Sequence, residues 1–178
     1  MIRFSITQRQ EFFMNRLLQA FEDASNSEDY ESEIKWWNTI FKDLFYSFNS
    51  TGINTGLISI EAYKTGHYDG SGQTTYEHVY SNVKCANWLF AEWKKGNVDL
   101  DYLKENVQYL VPTIVTTKEE NHKLSGITDE MPFSDIREMK HYKEIGIELM
   151  WNPKQPQKVY GNVTNAMKEL LVSTNDFF

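Results

Sequence analysis

A single cysteine, Cys85, stands in 178 residues, so no disulfide forms within the chain and its folding does not depend on an oxidising compartment. The same count excludes zinc sites built from cysteine pairs, and no His-Glu-x-x-His pattern replaces them. No apolar run approaches the roughly 20 residues that cross a bilayer. The stretch Met1 to Gln10 lacks the basic-then-apolar pattern of a secretory signal. The expected location is the cytoplasm, with no membrane partner. Four prolines and nine glycines are too few for a low-complexity chain, while 40% apolar and 15% aromatic residues supply a core. Basic residues are also scarce. Eighteen Lys and Arg against 25 Asp and Glu leave a net charge of −7, which argues against indiscriminate nucleic-acid binding through many neutralised phosphates. Part of this excess is local, because Glu22, Asp23, Glu28, Asp29, Glu31 and Glu33 fall close together with no basic residue among them. That is the pattern of a solvated acidic linker.

The length fits one domain over residues 1–178, with a helical N-terminal part (1–49), a central part (56–126) and a helical C-terminal part (127–178). Thr7 with Gln10 forms a capping-box pattern, and Phe13, Leu17 and Phe21 recur at helical spacing, which predicts a helix ending near Ala24. After an acidic loop from Ser25 to Ser32, Ile34, Trp37, Phe41, Leu44 and Phe45 mark one face of a second helix. Gly56 to Tyr63 reads as a strand, Lys64 to Gln73 as a glycine-rich turn, and Thr74 to Tyr80 as the returning strand of a hairpin. Ser81 and Asp99 are candidate caps for two further helices, the first closed by Gly96. Leu110 to Thr116 reads as a strand that Pro112 pushes toward an edge or a bulge. Thr117-Lys-Glu-Glu120 is a second capping box, opening a helix that Gly126 would end. A helix from Ser134 or Asp135 and a last one from Asn162 or Thr164 complete an α+β reading.

Two segments carry candidate chemistry: Tyr76-Glu77-His78-Val79 at the end of a predicted strand, and Val115-Thr-Thr-Lys-Glu-Glu-Asn-His-Lys-Leu124 running from a strand into a helix. Together they resemble the HNH, or ββα-metal, nucleases, in which an acidic residue or His followed by His lies on a strand and a later helix completes a metal site. The resemblance covers residues 56–126. It implies a β-hairpin and helix of ββα-metal type embedded among several helices, hydrolysing DNA phosphodiester bonds with Mg²⁺ or Mn²⁺. A histidine titrating near neutrality suits a base that takes a proton from water. Hard oxygen ligands favour those cations over softer ones. Carried over residue by residue, the resemblance implies His78 as base, Glu77 as metal ligand and Asn121 as the helix ligand. His122 is the alternative one register along, since about 100° per residue keeps both from pointing to one metal. Glu120 stands in reserve as a ligand. Where the family has an Asn that orients the base, this chain has Val111-Pro-Thr-Ile114, and Thr113 is its candidate replacement. Lys118, Lys123, Arg137 and Lys140 are candidate phosphate contacts, the last two joining His141 and Lys143 in a small basic face. A homodimer is the expectation for an enzyme that cuts both strands. The rival reading is a non-catalytic acidic module of similar fold that binds a protein partner or mimics DNA.

Overall fold

The computed structural model describes residues 6–49, 53–110, 112–154 and 170–171. Their contacts gather into two compact units, one made of 53–80 with 112–154 and 170–171, the other of 6–49 with 81–110. The class is α+β, with eight helices and four strands among the described residues. No helix of these residues is long and apolar enough to cross a membrane.

The second unit is helical: α1 (Gln8–Asn26), α2 (Tyr30–Asn49), α4 (Asn82–Lys94) and α5 (Leu100–Leu110). Its starts and stops follow local chemistry. Thr7 and Gln10 form the reciprocal capping box, Asp99 accepts the Tyr102 amide at 2.7 Å, and Gly96 takes φ +80° after α4. The acidic linker is shorter than expected, since α1 runs to Asn26 and α2 resumes at Tyr30. Phe21, Phe41 and Phe90 meet at ring separations of 4.9–5.2 Å, and Met14, Leu17, Trp37, Phe45 and Leu89 are buried around them. Ile34 instead faces solvent.

The first unit holds β1 (Ile53–Ser59), α3 (Ile60–Lys64), β2 (Thr74–His78), β3 (Pro112–Thr117), α6 (Lys118–Glu130), α7 (Phe133–Arg137), α8 (Lys140–Glu144) and β4 (Leu149–Trp151). The sheet order is β2-β3-β1-β4, with β1 parallel to β3 and the other pairs antiparallel. The expected hairpin between the 56–63 and 74–80 segments therefore does not form. Ser59 ends β1 by capping α3 through the Ala62 amide, and β2 finds its partner in β3. Strand propensity marks which residues extend, not which strands pair. Pro112 sits on an interior strand, but as its first residue, where a missing N–H interrupts no ladder, and its carbonyl accepts the Val79 amide at 3.0 Å. Gly126 does not end α6, which continues to Glu130. The helix expected from Ser134 is broken into α7 and α8 at Met139, which adopts φ +58°. The helix expected from Asn162 or Thr164 lies outside the described residues, apart from Leu170 and Leu171.

Side chains alternate along each strand, so the sheet has two apolar faces. Leu57, Ile114 and Leu149 pack with Leu124 of α6, Ile136 of α7 and Tyr142 of α8. Ile58, Val115 and Met150 pack on the other side with Ile60 and Ala62. In the turn before β2, a side chain at Gly70 would meet the Tyr76 ring at 2.7 Å, and its φ of +74° favours glycine for a second reason.

Candidate functional site

β2 and β3 are antiparallel, and β3 runs directly into α6, so the strand–strand–helix arrangement is present with α4 and α5 inserted between its strands. The register sets Glu77 opposite Ile114, His78 opposite Thr113 and Thr75 opposite Thr116. Cross-strand partners share a face, so Glu77 and Thr116 lie on the Ile114 face, which α6, α7 and α8 cover. His78 and Thr113 lie on the other face. The two adjacent residues of the Glu-His pair thus diverge, as the period of a strand requires. They do so at the end of β2, which is an edge strand.

On the helical face Glu77 is half-buried and makes no hydrogen bond or ion pair with another described residue. Burial raises its carboxyl to about 8, so it is largely protonated at neutral pH. Glu120 is held on the same face. Its Oε2 accepts the Ser59 hydroxyl at 2.6 Å, the Thr117 amide at 2.8 Å and the Thr117 hydroxyl at 3.1 Å. Tyr142 is fully buried, and its hydroxyl has no hydrogen-bond partner among the described residues. Burial drives that phenol well above its usual range, helped by the negative charges of Glu77, Tyr80 and Glu120. Thr116 Oγ1 is a second buried hydroxyl without a partner among the described residues.

Asn121 is partly buried in the first turns of α6, and His122 is exposed. Of the two, Asn121 is the one turned toward the body of the unit. No group of three or more His, Cys, Asp or Glu among the described residues is placed to hold a metal ion. The oxygen donors of Glu77, Glu120 and Asn121 are nonetheless of the kind a hard cation takes, often with only one or two carboxylates from the protein.

The expected phosphate contacts separate. Lys118 and Lys123 line a cleft of about 840 Å³ with Lys64, Glu61, Glu119 and Glu120. This cleft lies at the Thr74–Thr117 end of the strand pair, roughly 13 Å along β2 from His78 at strand rise. Lys123 is paired with Glu119 at 2.7 Å, whereas Lys118 has no ion pair among the described residues. Lys140 is engaged by Asp135 at 2.7 Å and Glu138 at 3.3 Å. The Arg137 side chain lies outside the described residues. His141 does not belong to a basic surface: it is buried, its Nε2 lies 3.2 Å from the Val79 carbonyl, and burial lowers its pKa to about 4.

Sequence reasoning missed Ser59, Thr116 and Tyr142 and assigned Glu120 mainly to capping. Only the alternation around Glu77 could have pointed to Thr116, and only with the β2–β3 register in hand. No family model, curated protein or solved structure matches this chain.

Proposed function

We propose that this protein is a metal-dependent endonuclease that hydrolyses DNA phosphodiester bonds. The observation that carries the reading is the antiparallel β2–β3 pair continuing into α6, with Glu77 on the helix-covered face and His78 beside it at the end of an edge strand. Adjacent strand residues on an interior strand are separated by the sheet. At the end of this edge strand the two side chains still leave opposite faces, and His78 Nε2 is buried, so the strand end has to open for a phosphodiester backbone to reach both. Glu77 and Asn121 are the oxygen donors to Mg²⁺ or Mn²⁺, with Glu120 next to them. The bound cation supplies neutralisation of the charge that develops on the phosphate. His78 takes the proton from the attacking water, and Thr113, its cross-strand neighbour, stands where an orienting group is needed. Lys118 contacts a flanking phosphate. With a net charge of −7, binding rests on few phosphate contacts and is steeply weakened by salt. A homodimer would cut both strands, and the lone, buried Cys85 suits a reducing cytoplasm.

The test is nicking of supercoiled plasmid with Mg²⁺ or Mn²⁺ by the unaltered protein and by His78→Ala, Glu77→Gln and Asn121→Ala. Loss of nicking in folded variants supports the reading. Intact plasmid and intact single strands with both metals would sink it.

A second reading has one observation in its favour. On α2 the exposed Trp36 and Tyr46 lie on the side away from the buried Phe41 and Phe45 and follow the acidic Glu31 and Glu33, the composition of a protein-binding face. Under that reading the protein is a non-catalytic module, and Trp36→Ala would abolish partner binding while Glu77→Gln would not.

A further inference from the structure

Val79 directly follows the Glu77-His78 pair, and the β2–β3 register carries on to set it opposite Pro112. Its amide donates to the Pro112 carbonyl at 3.0 Å. In a hydrogen-bonded antiparallel pair the facing residue returns a bond, but Pro112 has no N–H to give. The missing donor comes from a side chain of α8: His141 Nε2 lies 3.2 Å from the Val79 carbonyl. A carbonyl only accepts, so the imidazole carries a proton on Nε2. His141 and Val79 are both buried, which shields the bond from solvent.

The end of β2 is thus fastened by α8 rather than wholly by its own sheet, and α8 is a light fastening. It has five residues, little more than one helical turn. It begins after Met139 at φ +58°, a left-handed conformation that is costly for any residue but glycine, and Gly146 at φ +69° follows it. Met139 and Tyr142 seat it in the core, so its release is a local opening and not the resting state. The interior strands β1 and β3 are instead held along both edges.

Resting on the nuclease reading, we infer that His141 is a latch on the end of β2. While its imidazole donates to Val79, the strand end that carries Glu77 and His78 is closed. When α8 lets go, that end opens to a phosphodiester backbone. Losing the latch raises the open fraction and with it the apparent affinity for DNA, because only the open form binds. His141 itself moves no proton in the reaction.

The experiment compares the full chain with His141→Leu, which has no donor, and His141→Gln, whose side-chain amide can donate in place of Nε2. Amide hydrogen exchange is followed by NMR without DNA or metal, and plasmid nicking is measured with Mg²⁺ or Mn²⁺. In the unaltered protein the Val79 amide should exchange through a local opening shared with the Tyr142 and Ile147 amides, faster than the amides joining β1 to β3. His141→Leu should speed Val79 exchange by about tenfold, what one net hydrogen bond is worth, with the β1–β3 amides unchanged. It should lower the KM for nicking by a similar factor without changing kcat, and His141→Gln should restore both. Val79 exchange that is unchanged in His141→Leu, or that rises in step with the β1–β3 amides, would make the bond merely structural and overturn the inference. If His141→Leu does not fold, Val79 exchanging in step with the β1–β3 amides in the unaltered protein overturns it as well. Those results leave the nuclease reading standing as long as the unaltered protein nicks DNA. If it leaves DNA intact with both metals, the nuclease reading falls and takes the inference with it.

Discussion

Ser59 and Glu120 join two helix starts that are 61 residues apart: the Ser59 hydroxyl caps α3 through the Ala62 amide and donates to Glu120 Oε2 at 2.6 Å, while Glu120 closes the capping box of α6. The bond ties the first unit together on the face that carries Glu77. Breaking it removes a charge-assisted hydrogen bond and part of a cap. Ser59→Ala and Glu120→Ala should each destabilise by about 1–2 kcal/mol in urea unfolding. Because they share one interaction, the double variant should lose about 1 kcal/mol less than the sum. Simple additivity would show that the contact does not bind the two caps.

The pH dependence of stability follows from two buried groups of opposite sign. Glu77 is raised from 4.5 to about 8, so between those values the folded chain holds a proton the unfolded chain has lost. His141 is lowered from 6.5 to about 4, so there the unfolded chain holds the extra proton. Their effects cancel between about pH 4.5 and 6.5. Above 6.5 only Glu77 acts, its stabilising proton is lost as pH rises toward 8, and stability should fall by about 1.4 kcal/mol per pH unit. Urea unfolding in the absence of divalent cations, at pH 5, 6.5 and 8, checks this. The difference between the unaltered protein and Glu77→Gln should shift steadily in favour of the variant from pH 4.5 to 8. A constant difference would mean that the carboxyl is not held in its acid form by burial.

Under the proposed nuclease function, replacing His78 should cost activity without costing the fold. His78→Ala should lower the plasmid nicking rate by about 100-fold or more, the ordinary contribution of a positioned base. Its unfolding midpoint should stay close to that of the unaltered protein. A chelator should abolish nicking in both. Undiminished nicking by His78→Ala would assign the proton transfer to another group.

Lys118 and Lys140 offer a contrast within one unit. Lys118 lines the cleft without an ion partner among the described residues, whereas Lys140 is held by Asp135 and Glu138. Lys118→Ala should weaken DNA binding and reduce the slope of log affinity against log salt by about 1, as expected for one lost phosphate contact. Lys140→Ala should leave that slope unchanged. Equal effects would mean that DNA crosses a different surface.

In the helical unit, Phe41 meets both Phe21 and Phe90 at 4.9 Å and is fully buried. Phe41→Ala should destabilise by about 3–5 kcal/mol. Thermal or urea unfolding measures it, and a loss below about 1 kcal/mol would contradict a packed aromatic centre.

What the sequence determined by itself was local. Capping boxes at Thr7 and Thr117, the cap at Asp99, the turn glycine Gly96 and the buried face of α2 through Trp37, Phe41 and Phe45 all follow from residues three to seven positions apart. Such signals act within one or two helical turns, so they are legible without knowing the fold. The motif pair was legible too, as residue types in order along the chain. The pairing of β2 with β3 rather than with β1 was decided only by tertiary structure, because strand hydrogen bonds join segments whose separation leaves no periodic trace. That choice puts Glu77 on the helix-covered face, sends His78 to the other and sets Thr113 opposite it. It also decided that His141 is buried rather than part of a basic surface, and that Tyr142 is buried with a hydroxyl that has no hydrogen-bond partner among the described residues. Burial and charge at those positions are set by what packs over them, and α6 and α8 arrive there from distant parts of the chain.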